Sequence, residues 1–329
     1  MTKRSILVTG ASGFIGRRTV DAFRASGWNV WGIGRRKLAD TRYLAWDLSQ
    51  PLDDSAQSKL RDVEVIIHAA ARSSPWGNAK QFYLDNVLAT HQVIRLAEQL
   101  QIGKLIFVSS SSVYYRSHDQ FQINESTPLA ESPVNYYARS KQQAESAIRS
   151  FPGPWCILRP RAVYGCGDTV LFPRLLTAAK AGRLPLLVRP GAPVTGDLLS
   201  VNNLTNCLLQ AAQRPDLLGE FNLTDNQPIE LIPFLLDVFK RLNIETPKYR
   251  VSTAMAFRVA WLLETYYRVF LPSREPPITR FGVHVFAYSK TFDVSKMLAT
   301  FGRPVQTVEQ AVDQFVHWVR QTDAYGLYS

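Results

Sequence analysis

Cysteine is scarce in this chain, and the few cysteines form no pattern. The 329 residues include three cysteines, Cys156, Cys166 and Cys207, and five histidines, with no Cys-x-x-Cys pair and no clustering of the two residue types. Structural metal sites need such ligands at short spacing, so we predict no metal site. The same scarcity argues against a disulfide framework and favours a reducing compartment, for which we expect the cytoplasm.

Long uncharged apolar runs are also missing. No run reaches the roughly 18 residues that a membrane span requires, although 46% of the chain is apolar. The first predicted strand begins at Ser5, which leaves no room for a signal peptide. The absence of such a run does not exclude contact with the surface of a membrane, which is one interpretation of the segment 254–271.

Acidic residues are outnumbered, with 27 Asp and Glu against 38 Lys and Arg and a formal net charge of +11. Such an excess suggests an anionic partner: a nucleic acid, an anionic membrane surface or a phosphorylated small molecule. The basic residues are scattered rather than packed into runs, which ranks nucleic acid last and predicts no nucleic-acid partner.

A glycine-rich turn near the start is the most informative stretch. An apolar β-type run, Ser5 to Thr9, leads into the turn, and a helical pattern begins at about Phe14. Glycine lets the backbone come close to a pyrophosphate, while the N–H groups of the helix start face the anion. The Gly-x-x-Gly-x-x-Gly spacing differs from the standard dinucleotide fingerprint, and a merely tight connection is the alternative. The predicted cofactor contacts here are Gly10, Ser12, Gly13, Phe14, Ile15 and Gly16.

The second predicted strand, over 27–33, ends in Gly34-Arg35-Arg36-Lys37. A site for NAD usually has an acid at this point, which binds the ribose 2′-hydroxyl, whereas arginine binds a 2′-phosphate bidentately. We therefore predict NADP as the cofactor, contacted by Arg35 and Arg36. NAD is the alternative cofactor, and a solvated basic turn is the alternative structure.

Two further strand ends supply predicted cofactor contacts. Asp47 and Leu48 follow a short strand and are expected beside the adenine ring. The apolar run from Val63 ends in Ala69, Ala70 and Ala71, whose small side chains let a cofactor lie against the backbone. His68 in that run is expected to pack or hydrogen-bond rather than act as a base.

A predicted helix over about 134–150, which begins after Ser132-Pro133, carries Tyr137 and Lys141. Side chains four residues apart share one face of a helix. A nearby ammonium lowers the pKa of a tyrosine, so we expect Tyr137 to exchange a proton near neutral pH. A strand over 104–108 precedes this helix and ends in four serines, Ser109 to Ser112.

These features together resemble the extended short-chain dehydrogenase/reductase superfamily, of the NAD-dependent epimerase/dehydratase type. The resemblance rests on Thr9-Gly-Ala-Ser-Gly-Phe-Ile-Gly16, His68-Ala-Ala-Ala71, the serine-tipped strand and Tyr137-x-x-x-Lys141, and covers roughly residues 1–165. It implies an α/β fold, a Rossmann-type doubly wound parallel sheet with a smaller C-terminal substrate-binding lobe. We expect 1–165 and 194–225 to form the nucleotide-binding part, and 166–193 and 226–329 the substrate lobe.

The resemblance also implies roles for single residues. Tyr137 exchanges the proton with the substrate oxygen, and Lys141 also holds the nicotinamide ribose. The family's strand end, counted back from Val113-Tyr114, points to Ser110 as the serine that binds the substrate oxygen, with Ser111 and Ser112 as alternatives. Asn86, which lies in a helix that the sequence pattern predicts over about 80–100, completes a proton relay or holds the cofactor. The Leu158–Asp168 segment implies cofactor contacts at Pro160 and Val163.

Three looser segments, 74–77, 168–176 and 275–281, resemble the 3-beta-hydroxysteroid dehydrogenase-like branch. That branch implies an NAD(P)-dependent ketoreductase that acts on an apolar secondary alcohol or ketone, either sterol-like or like a β-hydroxy or β-keto acid. A nucleotide-sugar epimerase or dehydratase with tightly bound NAD is one alternative. A non-catalytic nucleotide-sensing scaffold is another. Pairing into a homodimer is common in the superfamily and stays open.

The pattern of polar and apolar residues over 254–271 predicts an amphipathic helix. Its polar arc contains Arg258, Glu264, Thr265 and Arg268. The other face is apolar and aromatic: Phe257, Trp261, Leu262, Tyr266 and Phe270. Three interpretations of that face remain: packing against the body of the protein, a wall of an apolar substrate pocket, and contact with a membrane surface.

Overall fold

The computed structural model describes residues 4–327, in which strands and helices alternate along the chain. The strands are β1 Ser5–Thr9, β2 Asn29–Gly34, β3 Tyr43–Ala45, β4 Val65–His68, β5 Lys104–Val108, β6 Gln120–Ile123, β7 Trp155–Pro160, β8 Val163–Tyr164, β9 Leu186–Val188, β10 Thr195–Gly196, β11 Leu199–Ser200, β12 Gly219–Leu223, β13 Ile229–Glu230, β14 Arg250–Ser252 and β15 Lys290–Phe292.

The α-helices are α1 Phe14–Ala25, α2 Asp54–Ser58, α3 Ala79–Phe82, α4 Ala89–Gln99, α5 Tyr136–Arg149, α6 Phe172–Lys180, α7 Val201–Gln213, α8 Leu231–Arg241, α9 Thr253–Phe270, α10 Arg280–Ala287, α11 Ser295–Phe301 and α12 Val308–Thr322. A π-helical segment, Tyr83–Leu88, joins α3 to α4. A short 3-10 turn, Ser111–Tyr114, follows β5.

Seven parallel strands form the central sheet in the order β12-β7-β5-β4-β1-β2-β3. Every residue of β1, β4 and β5 is buried, as expected for a parallel sheet covered on both faces. Helices α1 and α7 pack on one face, and α4 and α5 on the other. The predicted Rossmann-type α/β fold is confirmed. The order of the strands reverses between β1 and β4, and folds of this kind bind their ligands at that point.

The second half of the chain builds a separate apolar core beside this sheet. Helices α6, α8 and α12 enclose Phe172, Phe239 and Phe315, all buried. A smaller sheet pairs β13, β10, β15 and β6, and β12 alone from this half joins the central sheet.

Two predicted helices have different boundaries in the structure. Helix α5 begins at Tyr136 rather than near residue 134, because the side chain of Asn135 caps it and accepts a hydrogen bond from the Ala138 N–H at 2.8 Å. The helix predicted after residue 80 is present, but the π-helical segment interrupts it at the position of Asn86. Segments of this kind occur frequently at functional sites.

Helix α9 packs in a way that the sequence did not predict. Its buried residues are Ala256, Ala260 and Glu264. The two alanines have small side chains, which let the helix approach its neighbours closely. Glu264, expected on the polar solvent face, accepts two hydrogen bonds from Arg280, each 2.8 Å long. The aromatic face is open: Trp261 is 54% exposed and Phe270 66%. The interpretation that this face packs against the protein is therefore wrong for both residues.

Candidate active site

The glycine turn connects β1 to α1 in a form that only glycine allows. Gly10 has a φ of +71°, and a Cβ added there would lie 2.8 Å from the Ala70 backbone. A Cβ on Gly16 would lie 2.1 Å from the Gly10 carbonyl oxygen. The turn therefore lies directly against the end of β4, where Ala69 to Ala71 follow. At its N-terminus α1 has no side-chain cap, so its first N–H groups are available to an anion.

The end of β2 brings two arginines beside this turn. Arg36 donates a hydrogen bond to the Ser12 carbonyl, and Arg35 lies 3.5 Å from an Asp85 carboxylate oxygen with 63% of its side chain exposed. The hydroxyl of Tyr43 is buried beside Gly34 and has no hydrogen-bond partner within residues 4–327. A buried hydroxyl without a partner, next to a glycine cradle, fits a polar ligand such as a dinucleotide.

The two residues predicted beside the adenine ring, Asp47 and Leu48, have different environments. Asp47 is exposed, and its carboxylate accepts a hydrogen bond from the Ser49 N–H at 2.9 Å. Leu48 is buried in the core beneath β1 and β4, so its side chain serves packing.

Tyr137 and Lys141 lie one turn apart on the buried face of α5. Burial raises the pKa of Tyr137 to about 12, although the nearby Ser110 hydroxyl acts in the opposite direction. The Lys141 ammonium donates to the Val108 carbonyl at 2.8 Å, and burial lowers its pKa to about 7. The expectation that Lys141 brings the tyrosine pKa near neutrality is therefore wrong for the protein by itself, because burial dominates.

The four serines after β5 have four different environments. Ser110 faces Tyr137. Ser109 donates to Glu145 at 2.6 Å, and Ser111 exchanges a 3.1 Å hydrogen bond with the Tyr115 hydroxyl. The Ser112 hydroxyl is buried without a partner within the described part of the chain. Of the three serines left open by the sequence, Ser110 is the one that the turn directs toward the tyrosine.

A buried ion pair that was not predicted from the sequence supports helix α5. Glu145 lies eight residues after Tyr137, and Arg159 on β7 donates to both of its carboxylate oxygens at 2.9 and 2.7 Å. Arg159 is 2% exposed, and a buried arginine requires a partner. Two signals were present in the sequence: the four-residue spacing that continues from Tyr137 through Lys141, and an arginine inside an apolar strand.

Asn86 and His68 hold the surrounding backbone. The Asn86 side chain accepts from the Arg72 N–H at 2.7 Å and donates to Ser140 on α5 at 2.8 Å, so it connects the loop after β4 to the helix of Tyr137. His68 contacts the hydroxyls of Thr9 and Thr90. Burial lowers the pKa of His68 to about 3, which keeps it neutral and agrees with a hydrogen-bonding role.

A largely apolar cavity of about 370 Å³ opens beside Tyr137 and Ser110. Pro160 and Val163 line it on the side of the central sheet, with Phe14 and Ile15 from the glycine turn. The three looser motif segments all contribute to its wall, through Ser74, Leu171 and Ile278 among others. No residue of α9 lines it, so that helix is not a wall of the pocket. Residues 4–327 contain no cluster of three metal-ligating side chains.

Comparison with known proteins identifies relatives over most of the chain. The sequence model of the NAD dependent epimerase/dehydratase family matches residues 6–223. The 2-alkyl-3-oxoalkanoate reductase of Shewanella oneidensis is 28% identical, over 90% of this chain and 81% of the relative. The decarboxylating sterol-4-alpha-carboxylate 3-dehydrogenase of Mus musculus is also 28% identical, over 94% of this chain and 89% of the relative.

Solved structures share the fold across the whole length. MoeE5 in complex with UDP-glucose and NAD has a TM-score of 0.76 at 21% identity, with 97% of this chain and 100% of that chain covered. The crystal structure of gox2253 has a TM-score of 0.77 at 22% identity, with 98% and 99% covered. At this identity the likeness concerns the fold alone.

Proposed function

The chain belongs to the NAD dependent epimerase/dehydratase family and is a nicotinamide-dependent oxidoreductase, and on that premise we propose that it interconverts a secondary alcohol and a ketone on an apolar substrate. The observation that carries the proposal is the Tyr137–Ser110 pair at the wall of an apolar cavity, next to the glycine turn. Residues 1–165 and 194–225 bind the nucleotide, and 166–193 and 226–329 form the substrate lobe.

Each residue of the site has a separate role in the reduction. The nicotinamide, when bound, supplies the hydride for the carbonyl carbon. Tyr137 is protonated throughout the physiological range, since burial raises its pKa to about 12, and it donates its proton to the substrate oxygen. The Ser110 hydroxyl donates a hydrogen bond to the same oxygen and stabilises the negative charge that develops there.

Lys141 and Asn86 hold the participants in place. The Lys141 ammonium, which donates to the Val108 carbonyl, would also hold the ribose hydroxyls of the cofactor. Asn86 keeps the loop after β4 at a fixed distance from α5 through its contacts with Arg72 and Ser140. Pro160 and Val163, which line the cavity, would hold the nicotinamide.

NADP is the cofactor that we propose, because Arg35 and Arg36 follow β2 where a site for NAD usually has an acid, and Arg36 contacts the glycine turn. Titration of the protein with NADPH and NADH, followed by nucleotide fluorescence, tests this. We expect NADPH to bind at least tenfold tighter, and the double variant Arg35→Ala/Arg36→Ala to remove most of that difference, since each charge-assisted contact contributes about 1.5–3 kcal/mol. Equal or tighter binding of NADH by the unaltered protein would contradict the choice of NADP.

The substrate class follows from the cavity, whose wall is largely apolar, and from relatives named for 3-oxoalkanoates and sterol carboxylates. Turnover with NADPH against a panel of apolar ketones, with UDP-glucose as the contrasting substrate, tests the class. We expect reduction of apolar ketones and no reaction with the nucleotide-sugar. NAD that stays bound through purification, together with epimerisation of UDP-glucose, would favour the epimerase alternative.

We also propose that α9 rests on an anionic membrane surface. Within residues 4–327 no helix is both long and apolar enough to cross a membrane. The exposed side of α9 nevertheless presents an apolar stripe, and the exposed Arg258 borders it: Met255, Val259, Leu262, Tyr266, Val269 and Phe270. Apolar insertion beside an exposed arginine matches an anionic lipid surface, and the net charge of +11 favours it further.

Sedimentation with phosphatidylglycerol-containing vesicles tests the membrane proposal. The double variant Leu262→Ser/Phe270→Ser should lose most vesicle binding, and phosphatidylcholine vesicles should bind the unaltered protein at least tenfold more weakly. Leu218→Ser, an exposed leucine before β12 that is 53% accessible, is the matched control. Absence of vesicle binding, with a dimer that the double variant dissociates, would instead assign this face to a second copy of the chain.

A further inference from the structure

Arg161 is a buried cation in the wall of the substrate cavity. It follows Pro160 at the end of β7, and its backbone N–H donates to Leu223 on β12 at 3.0 Å. The residue is only 4% exposed and lines the same cavity as Tyr137 and Ser110. Its position is therefore fixed by the central sheet rather than by a mobile loop.

The Arg161 side chain lacks a carboxylate partner within the described residues. Arg159, two residues earlier, pairs with Glu145, whereas no ion pair is formed by Arg161 across residues 4–327, and its Nε has no hydrogen-bond partner there. A buried guanidinium without an anion carries a large desolvation cost. An anion from outside the chain would offset that cost.

The surroundings of Arg161 neutralise its charge only in part. Its guanidinium lies over the Tyr115 ring at 5.3 Å, and the Lys290 ammonium approaches the same ring at 5.8 Å. Asp197 is the nearby acid, but one of its carboxylate oxygens accepts the Phe292 N–H at 2.8 Å. The pocket thus combines an apolar wall with one incompletely neutralised cationic corner.

We propose that Arg161 binds the carboxylate of the substrate, so that the preferred substrate is an apolar β-hydroxy or β-keto acid rather than a neutral ketone or sterol. The inference rests on the proposed function, since Tyr137 and Ser110 must hold the oxygen that reacts. In such an acid the reacting oxygen and the carboxylate lie two carbons apart, so one molecule presents both to neighbouring walls of one cavity. The planar guanidinium suits a carboxylate, which it binds bidentately.

The experiment compares β-hydroxydecanoate with its methyl ester in the oxidation direction. The two substrates share their apolar chain and differ in the charge. With the unaltered protein we expect kcat/KM for the acid to exceed that for the ester by about 10–100-fold, as a charge-assisted pair provides. Arg161→Met should abolish this preference and change kcat/KM for the ester less than threefold, and Arg161→Lys should restore part of it.

Arg174→Met is the matched control, because Arg174 also lines the cavity but is partly exposed and pairs with Glu275 at 3.0 Å. We expect this variant to keep the acid preference. Melting temperature and NADPH affinity, measured for every variant, identify any that fails to fold. If Arg161→Met keeps the preference for the acid, or if it lowers kcat/KM equally for the acid and the ester, the carboxylate role is contradicted. Arg161 is then a structural cation over Tyr115.

Binding to the unaltered protein separates this inference from the proposed function. Calorimetric titration of the protein saturated with NADPH should show decanoate binding at least tenfold tighter than decanamide, even if no alcohol in the panel is oxidised. That result would support the carboxylate site while the proposed reaction fails. Equal binding of the two would overturn the carboxylate site, whatever the turnover.

Discussion

Ser110 and Ser112 are two residues apart and chemically identical, yet the structure gives them opposite expected roles. Ser110 faces Tyr137, whereas the Ser112 hydroxyl is buried without a partner among the described residues. We predict that Ser110→Ala lowers kcat by about 10²–10³-fold, since it removes a donor to the developing oxyanion. The melting temperature should change little, and steady-state kinetics with thermal unfolding measures both.

Ser112→Ala is the control for this prediction. It removes a hydroxyl whose burial costs free energy and provides no hydrogen bond, so stability should stay equal or rise and kcat should stay within twofold. A larger loss of kcat in Ser112→Ala than in Ser110→Ala would transfer the role to Ser112.

We predict that Lys141 makes cofactor binding depend on pH. In the protein by itself burial lowers its pKa to about 7. Ribose hydroxyls that accept a hydrogen bond from the ammonium favour the charged form, so the pKa rises on binding and a proton is taken up. NADPH affinity should therefore be full below pH 7 and fall as pH rises above it, by at most about tenfold per unit.

Fluorescence titration with NADPH between about pH 7 and 9 measures this dependence. The groups closest to Lys141 do not titrate in that range: burial lowers the pKa of His68 to about 3 and raises that of Tyr137 to about 12. Lys141→Met should bind more weakly and lose the pH dependence. An unchanged slope in that variant would contradict the assignment.

The sequence predicts which residues share an element, but not their environments. The four-residue spacing of Tyr137 and Lys141 places both on one face of a helix, because helix geometry is local. The raised pKa of Tyr137 and the missing partner of Arg161 depend on burial by distant strands, which no local pattern contains.

A buried charge pair beneath the tyrosine helps to hold helix α5 in place. Glu145 accepts hydrogen bonds from Arg159 and Ser109 and has no exposed surface. We predict that Glu145→Gln destabilises the protein by about 3–5 kcal/mol, because it leaves the buried Arg159 with only the more distant Glu220 carboxylate, 3.8 Å away. Urea unfolding followed by circular dichroism measures the loss.

Glu309→Gln is the matched control for Glu145→Gln. Its carboxylate pairs with Arg241 at 2.7 Å, and most of the Glu309 side chain is exposed. Such a pair contributes about 0–1 kcal/mol. Losses of equal size in the two variants would show that the buried pair does not anchor α5.

Elements with local causes were predicted better than elements whose packing depends on neighbours. The glycine turn followed from the freedom of glycine at Gly10 and the helical pattern after it. Helix α9 was predicted within one residue at each end, yet its contact face was not. Amphipathicity alone predicts that the aromatic side of α9 is buried. In the structure α9 instead packs against the rest of the protein through Ala256 and Ala260.

At the scale of the whole molecule, the parallel sheet was predicted from the resemblance of residues 1–165 to the short-chain dehydrogenase/reductase superfamily. The family match ends at residue 223, and the helical core enclosed by α6, α8 and α12 lies largely beyond it. The cavity is built from segments as distant as Ser74, Leu171 and Ile278. Sequence patterns identify each segment but do not show that the segments meet.

The central claim is that Tyr137 gives its proton to the substrate oxygen in a nicotinamide site. The most direct test is Tyr137→Phe, which keeps the ring beside Phe82 and removes the hydroxyl. Measured together, kcat for NADPH-dependent ketone reduction should fall by about 10²–10⁴-fold while the Kd for NADPH stays within threefold. Turnover within tenfold of the unaltered protein, with NADPH still bound, would contradict the account.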